Sequence, residues 1–488
     1  MTVTLKQINQ VQVTVGENVP APPLGLVVLD PSVPALVFNI GTSSSSSSNP
    51  IINVALVIGS SKQYIITSSS GLNQATIIPP LFFSNYVLTG GFIINNSSCS
   101  SSSGTASGTN EVGYYLSYNK QTQTADNSCT VEPDGIPFGG FFNVVIDFQH
   151  SMAYIFRYGA NPIALIIFSM SLNAFTSFLS SLSLPSGYQV AYIEPPQSPA
   201  PPSQFVSNYS FSTVVLYNGT FYIGLAYPQI TSNGSVTYPG YSFIWSVSVS
   251  SISFSSSIPS SPSQVGNLTQ ITSNTQASTP YIYLNYYVNN GSITTELLIG
   301  QYVNGNVVVY SYNFSSLSTL IQLSVNASYY GNMINIGGVL AFVLGNYSIS
   351  GSTTTYTYWV GIYDRKTNSY ETTSQFTNIT SMDVAPPYYA VTFSGSAGNI
   401  TATIYQIIVD VLPAIQNLTA QNNTISGTVV NLNNGQPISG VTVYLYSLAT
   451  LEDDSSSGSL ITSTTTDANG NFSFSITQSG YYAVKVIY

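Results

Sequence analysis

Residues 212–225 read STVVLYNGTFYIGL. Two runs rich in β-branched and aromatic residues flank the dipeptide Asn218-Gly219. Asn-Gly between such runs favours a two-residue type I′ turn, so the stretch predicts a β-hairpin. The same arrangement recurs in two further stretches, 281–301 around Asn290-Gly291 and 301–310 around Asn304-Gly305. Because strand signals dominate and no long amphipathic helical pattern occurs, the sequence predicts an all-β protein.

Hairpins of this kind recur along residues 26–418 with a loose period of roughly 40 to 70 residues. Each unit opens with an apolar strand and continues through a turn, a second apolar strand and one or two more polar strands. The openings fall near Ala35, Ile77, Phe141, Phe211, Tyr281, Met333 and Tyr388. Four strands per unit at this period predict a β-propeller of about seven blades. Serial β-sandwiches or jelly rolls would use the same strands and remain the alternative.

The C-terminal residues 419–488 have a sharper pattern. It consists of ISGTVV at 425–430, GQPISGVTVYL at 435–445 and TTTDANGNFSF at 464–474. In this spacing the segment resembles the carboxypeptidase regulatory-like (transthyretin-like) family. The resemblance implies a small, non-catalytic, seven-stranded β-sandwich, used in extracellular proteins as a spacer or adhesive unit. The residues themselves predict turns at 435–437 and 467–470, with Phe472, Phe474 and Val484 facing inward.

Charged residues make up only 5% of the 488 residues, against about 25% in an average soluble protein. This scarcity excludes nucleic-acid binding by a basic surface and excludes a coiled coil. Ser and Thr, roughly a quarter of the chain, supply the polar surface instead. Ser, Thr and Asn do not titrate, and Tyr does so only near pH 10, so folding should tolerate acid. We therefore expect hot or acidic extracellular surroundings, with an ordinary secreted Ser/Thr-rich protein as the alternative.

Two cysteines, Cys99 and Cys129, enclose a polar loop. An even, minimal count in a chain of extracellular character predicts one disulfide, and two free thiols are the alternative. A zinc site is not expected, because no histidine or second cysteine pair accompanies them. The sequence predicts no cofactor.

Glycosylation sequons are concentrated in the later part of the chain. They occur at Asn95, Asn96, Asn208, Asn218, Asn233, Asn267, Asn290, Asn313, Asn326, Asn346, Asn378, Asn399, Asn417, Asn422 and Asn471. Thirteen of them follow residue 200, where composition alone would give roughly seven. We expect the C-terminal three-fifths to be a glycan-covered outer surface.

Residues 1–25 are expected to form an attachment arm, because an alternating segment is followed by the proline-rich linker 16–25. The start has no apolar run typical of a signal peptide. Extracellular character then predicts release without the secretion pathway, or removal of a leader with a Met added. No apolar stretch reaches about 20 predominantly apolar residues, so no membrane span is expected.

Residues with catalytic potential are few. His150, the single histidine, follows Asp147 and precedes Ser151, but no Gly-x-Ser-x-Gly elbow accompanies this possible triad. Carboxylates for glycoside hydrolysis could come from Asp147, Glu194, Glu296, Asp364 and Asp383, which sequence cannot bring together. Two arginines, Arg157 and Arg365, are too few for a sialidase-type cluster. The acidic run Glu452-Asp453-Asp454 predicts a solvated loop rather than a Ca²⁺ site. We expect no enzyme activity.

In composition the chain resembles the surface, spike, turret and tail-fibre proteins of thermoacidophilic archaea and their viruses. The resemblance implies a virion surface protein that attaches to a host. Its expected partners are other virion or surface-assembly subunits, through the N-terminal arm, and a host-surface glycan or protein. A homo-oligomer is also expected. Two alternatives are a cellular surface-layer or pilus-associated adhesin and a secreted carbohydrate-active enzyme.

Overall fold

A computed structural model describes most of the chain. The described ranges are 3–13, 26–30, 35–42, 51–58, 62–67, 76–77, 81–83, 85–94, 111–130, 138–159, 164–181, 184–196, 210–227, 230–232, 235–238, 240–272, 278–289, 292–324, 329–336, 338–350, 353–396, 399–409, 413–448 and 459–486. These residues form thirty-nine strands, one α-helix and one short 3-10 turn. The prediction of an all-β protein is confirmed.

The first part of the chain forms three sheets, called blades 1, 2 and 3. Blade 1 contains β2 (Leu26–Asp30), β3 (Ala35–Thr42), β4 (Ile51–Ile58) and β5 (Lys62–Thr67). Blade 2 contains β6 (Thr76–Ile77), β7 (Leu81–Phe83), β8 (Tyr86–Ile94), β9 (Glu111–Asn119) and β10 (Thr124–Thr130). Blade 3 contains β11 (Phe138–Asp147), β12 (Met152–Gly159), β13 (Ala164–Ser171), β14 (Gln189–Glu194) and the later strand β20 (Ser263–Gln264). The helix α1 (Leu172–Ser181) joins β13 to β14.

Four more sheets follow as blades 4 to 7. Blade 4 contains β15 (Ser210–Tyr217), β16 (Thr220–Tyr227), β19 (Tyr241–Ser248) and β21 (Asn267–Thr272), with the separate hairpin β17 (Ile230–Ser232) and β18 (Ser235–Tyr238). Blade 5 contains β22 (Tyr281–Asn289), β23 (Ser292–Val303), β24 (Asn306–Tyr312) and β25 (Leu317–Ser324). Blade 6 contains β26 (Tyr329–Ile336), β27 (Val339–Ser350), β28 (Thr353–Asp364), β29 (Ser369–Thr372) and β30 (Phe376–Thr377). Blade 7 contains β31 (Ser381–Ala385), β32 (Tyr389–Ser396), β33 (Asn399–Val409) and β1 (Val3–Val13).

Neighbouring blades pack against one another in chain order, and the first blade packs on the last. One apolar cluster joins blades 2, 3 and 4, and further clusters join blade 4 to 5, 5 to 6 and 6 to 7. Val28 of blade 1 packs on the last sheet, blade 7. The side chains between blades 1 and 2 lie outside the described residues. Since the last sheet returns to the first, the body is a seven-bladed propeller, as the seven apolar openings predicted, and the serial-sandwich alternative is wrong.

Two of the seven apolar strands predicted to open a blade are instead the second strands of their blades. Ala35 begins the second strand of blade 1, and Tyr388 lies just before the second strand of blade 7. Both second strands are as apolar as a first strand, so hydrophobicity alone does not separate the two. The predicted Asn-Gly hairpin is confirmed, with Asn218 and Gly219 at φ of 47° and 66° as a type I′ turn requires.

The N-terminal segment is not a free attachment arm. β1 is the outer strand of blade 7 and pairs with β33 from Val3 opposite Val409 to Val13 opposite Ile400. Val3 and Val11 are buried against this sheet. The backbone groups along the edge that faces β33 and the apolar side chains are thus used inside the chain, so the prediction of a free arm is wrong for β1. Docking of this segment to other subunits stays a prediction. Residues 14–25 lie outside the described part.

The C-terminal module forms two three-stranded sheets. One contains β34 (Pro413–Gln421), β35 (Thr424–Asn431) and β38 (Asn471–Ser475), and the other contains β36 (Thr442–Leu448), β37 (Ser459–Thr465) and β39 (Tyr481–Val486). Phe472 and Phe474 are buried in a shared core, as predicted. Asp467 closes the predicted turn by accepting the backbone N–H groups of Asn469 and Asn471, each at 2.8 Å.

The module contacts blade 5. Tyr444, Tyr446 and Ala483 pack against Tyr286 of that blade, and Lys485 Nζ lies 3.4 Å from the centroid of the Tyr286 ring. No helix among the described residues is long and apolar enough to cross a membrane.

Candidate functional site

Asp147 and His150 lie together at the turn between β11 and β12. His150 Nδ1 is 2.8 Å from Asp147 Oδ2, and the His150 backbone N–H donates to Asp147 Oδ1 at 3.1 Å. Asp147 is buried, whereas His150 is exposed. In the described hydrogen bonds Ser151 takes part through its backbone, donating to Phe148 and accepting from Leu172. The pair therefore closes a turn, and no assembled Ser-His-Asp triad is present at this place.

The five carboxylates predicted as candidates for glycoside hydrolysis are distributed over blades 3, 5, 6 and 7. Asp147 and Glu194 are in blade 3, at the ends of β11 and β14. Asp364 ends β28 and caps the next turn by accepting from the Lys366 backbone and the Thr367 hydroxyl. Within the ranges that the structure describes, no group of three His, Cys, Asp or Glu residues could hold a metal ion.

Glu296 forms an ion pair between blades 5 and 6. Arg365 donates from Nε at 2.8 Å and from Nη2 at 3.3 Å to the two carboxylate oxygens, a bidentate arrangement. Asn285 and Ser311 also donate to this carboxylate, which is 1% exposed. The Arg365 guanidinium lies over the Tyr287 ring, 4.4 Å from its centroid. Since its hydrogen bonds are satisfied within the protein, Glu296 is a structural contact rather than a free catalytic acid.

The two arginines have separate surroundings. Arg157, in β12, is buried with its guanidinium carbon 5.4 Å from the Phe168 ring centroid, whereas Arg365 holds Glu296. They belong to blades 3 and 6. No pair of arginines thus faces one ligand site in the described part of the chain.

Asp383 is the centre of a polar row on the innermost strands. The Asn332 backbone N–H and side-chain amide donate to its carboxylate at 2.8 and 2.9 Å, and the Tyr281 hydroxyl donates to Asn332 at 3.1 Å. A Cβ on Gly331 would lie 2.5 Å from Asp383 Oδ1, so a larger residue there would displace the carboxylate. The row joins blades 5, 6 and 7.

Burial raises the pKa of Asp383 to about 7, because desolvation outweighs the opposing backbone N–H bonds from Asn332 and Val384. The carboxyl is 1% exposed and accepts hydrogen bonds from the Asn332 backbone, the Asn332 side chain and the Val384 backbone. It can therefore hold a proton near neutral pH.

The remaining predicted residues are surface groups or lie beyond the described side chains. Eight sequon asparagines have described side chains, and all eight are exposed: Asn218, Asn267, Asn313, Asn346, Asn378, Asn417, Asn422 and Asn471. The acidic run 452–454, Cys99 and the side chain of Cys129 lie outside the described part, and the predicted disulfide stays a prediction.

An exposed two-stranded arm projects from blade 6. It consists of residues 346–350 and 353–357, the paired ends of β27 and β28. The third-strand pairing with β30 stops at Thr357, so the arm continues without a neighbouring strand in the described structure. Asn346 to Ser350 are all exposed, whereas the same strand is buried from Leu340 to Gly345.

The arm has two chemically different faces. Tyr347 lies opposite Tyr356, with ring centroids 6.3 Å apart, and Ile349 extends the same face. These side chains are 50%, 40% and 66% exposed, respectively. The opposite face carries Asn346 and Ser348 along β27. The apolar face continues from the buried Tyr358, which packs between blades 6 and 7.

Sequence reasoning missed the arm and the polar row. The strict alternation of NYSIS at 346–350 was a visible signal for a strand with one apolar face. Its exposure depends on where β30 ends, which no local pattern gives. The contact between Asn332 and Asp383 joins residues fifty-one positions apart and exists only because blades 6 and 7 pack together.

The C-terminal module matches a known domain family. The family model of the carboxypeptidase regulatory-like domain matches residues 424–488. This match supports the β-sandwich of that segment, as the sequence predicted. No curated protein matches the chain.

Several solved structures share a low-level likeness with the chain. The WD40 domain of SCAP from fission yeast is 10% identical, with a TM-score of 0.37, covering 82% of this chain and 98% of that one. The Dos1 propeller is 11% identical, with a TM-score of 0.37, covering 82% and 95%. The β-propeller domain of the Trilobed protease from Pyrococcus furiosus is 8% identical, with a TM-score of 0.34, covering 81% and 96%. The propeller fold follows instead from the packing of the sheets, because blades 2 to 7 are joined in turn and blade 1 packs on blade 7.

Proposed function

We propose that this protein is an extracellular attachment protein, exposed on the surface of a virion from a hot, acidic habitat. The observation that carries the proposal is the exposed arm of blade 6, whose uncovered apolar face is formed by Tyr347, Ile349 and Tyr356. Exposed apolar groups that line up on a rigid element are typical of recognition surfaces. A propeller holds such an element at a fixed position on a large scaffold.

The uncharged surface supports an extracellular position. The eight described sequon side chains all face solvent and are accessible to glycan transfer. Charged side chains make up only 5% of the chain, and the ion pairs described include Asp147 with His150 and Glu296 with Arg365. Folding therefore depends little on charges that acid would remove.

The C-terminal module supports a role in assembly. Its contact with blade 5 is made by aromatic rings and Lys485 rather than by a flexible tether. Five of the exposed large apolar side chains belong to this module: Leu418, Leu432, Leu460, Ile461 and Tyr481. We propose that the module faces other subunits of the particle while the propeller faces the host, and that the assembly contains several copies of the chain.

Gold-labelled antibodies against the C-terminal module would test the proposal on purified particles and on cells from the same culture. We expect labelling on the outside of virus particles, and binding of the fluorescently labelled purified protein to host cells at acidic pH. Labelling confined to the cell envelope would favour the cellular adhesin. Labelling confined to the cell interior, together with no binding to cells, would contradict an attachment function.

A further inference from the structure

We propose that the apolar face of the blade 6 arm binds the ring of a neutral sugar, with Tyr347 and Tyr356 as the stacking platform. This inference rests on the proposed attachment function and names the class of ligand that it would use.

The arm has the geometry of a stacking platform. Tyr347 and Tyr356 are cross-strand partners whose ring planes are tilted by 49° at a centroid distance of 6.3 Å. The Tyr356 ring is in turn nearly parallel to the buried Tyr358 ring, at 16° and 6.3 Å. The buried ring anchors the exposed pair to the core between blades 6 and 7. Tyrosine offers a flat apolar face and one hydroxyl while losing little conformational entropy.

The chemistry of the arm favours an uncharged ligand. Residues 346–357 read NYSISGSTTTYT and contain no ionisable group except the tyrosine hydroxyls. An anionic sugar or a charged peptide segment would find no counter-charge on the arm. A neutral sugar ring presents C–H groups to the tyrosine faces and hydroxyls to the two tyrosine hydroxyls.

The size of the exposed face argues against a protein partner or a second copy of the chain. From their exposed fractions, the three apolar side chains offer about 300 Å². A stable protein interface needs about 800 Å² on each partner. One or two sugar rings fit an area of this size, and weak single sites of this kind gain strength when many copies act together.

Saturation-transfer NMR titrations with maltohexaose, cellohexaose and mannohexaose would test the inference, with hexagalacturonate as the acidic counterpart. We expect at least one neutral hexasaccharide to bind, with an affinity that does not change between low and high salt. Tyr347→Ala and Tyr356→Ala should each weaken binding at least tenfold, whereas Tyr347→Phe, which keeps the ring, should bind like wild type. Tyr481→Ala is the matched control, because Tyr481 is similarly exposed, at 48%, but lies on the C-terminal module.

Other outcomes would overturn the inference. These are no binding of any neutral hexasaccharide, equal binding by Tyr347→Ala and wild type, or salt-sensitive preference for hexagalacturonate. Loss of a dimer in Tyr347→Ala by analytical ultracentrifugation would assign the face to a second copy instead. If the wild-type protein still adheres to host cells and the arm variants adhere equally well, the sugar site is wrong while the attachment function stands. If the wild-type protein does not adhere at all, the attachment function itself fails.

Discussion

At the scale of single residues, Asp383 should make the protein more stable in acid. Its pKa is raised to about 7 in the folded protein, against 3.8 for a free side chain. The proton is therefore held more tightly when the chain is folded. The resulting stabilisation is complete below pH 4 and is lost as the pH rises through 7. The difference between the two pKa values corresponds to about 4 kcal/mol. The midpoint of thermal unfolding should fall when the pH is raised from 4 to 8.

Asp383→Asn provides the comparison, because the amide is neutral at every pH and has nearly the same shape. The Asn332 amide can rotate to accept from it. We expect the variant to lose most of this pH dependence and to exceed wild type in stability at pH 8. Asp467→Asn is the control. Hydrogen bonds from Asn471 and Asn469 lower the pKa of that exposed carboxyl, so this substitution should change the pH dependence of stability only below pH 4. A wild-type profile that is flat from pH 4 to 8 would contradict the prediction.

At the scale of secondary-structure elements, β1 should act as the closing strand of the ring. Val11, at 3% exposure, faces the core of blade 7, whereas its neighbour Gln10 faces solvent. Val11→Asp would bury an unpaired carboxylate and remove apolar contact, at a cost of about 3 kcal/mol or more. Gln10→Asp on the same strand should change stability by no more than about 0.5 kcal/mol. Urea unfolding followed by near-UV circular dichroism measures both. Equal effects of the two substitutions would show that β1 does not close the propeller.

β1 also shows which parts of the fold can be predicted from the sequence. The hairpin around Asn218-Gly219 was predictable, because its turn and both strands lie within fourteen residues. The count of seven blades follows from repeating that local pattern. The alternation of β1 was equally visible, but its partner β33 lies about four hundred positions away. A closing strand and a free arm have the same local pattern, so the sequence could not distinguish them.

The candidate sites also contain features that were predictable from local sequence and features that depend on distant contacts. Sequence analysis named Asp383 as one of five carboxylates but could not single it out, because its burial depends on packing between blades 6 and 7. The pair Tyr347 and Tyr356 is joined by one hairpin and was in principle predictable. Their exposure was not, because it follows from the end of the neighbouring strand β30.

At the scale of the whole molecule, the scarcity of charge predicts weak dependence of stability on salt. The chain has seven basic and seventeen acidic side chains, several of them buried, for an accessible surface of 21086 Å². Most neighbouring charges are thus expected to lie farther apart than the screening length of about 8 Å at physiological ionic strength. Added salt then has few interactions to screen. We expect the midpoint of thermal unfolding to change by no more than about 2 °C between 0.05 and 0.5 M NaCl at pH 5.

Acid should likewise leave the tertiary structure in place. At pH 2 the carboxylates are protonated, and the remaining positive charge comes from seven Lys and Arg side chains, one His and the amino terminus. This charge is small for a chain of 488 residues, so self-repulsion is too weak to expand the protein. The near-UV circular dichroism at pH 2 should match that at pH 5. Loss of that signal together with binding of the dye ANS would indicate an acid-expanded state. Such a result would mean that protonating Glu296, and so breaking its ion pair with Arg365 between blades 5 and 6, destabilises the whole fold.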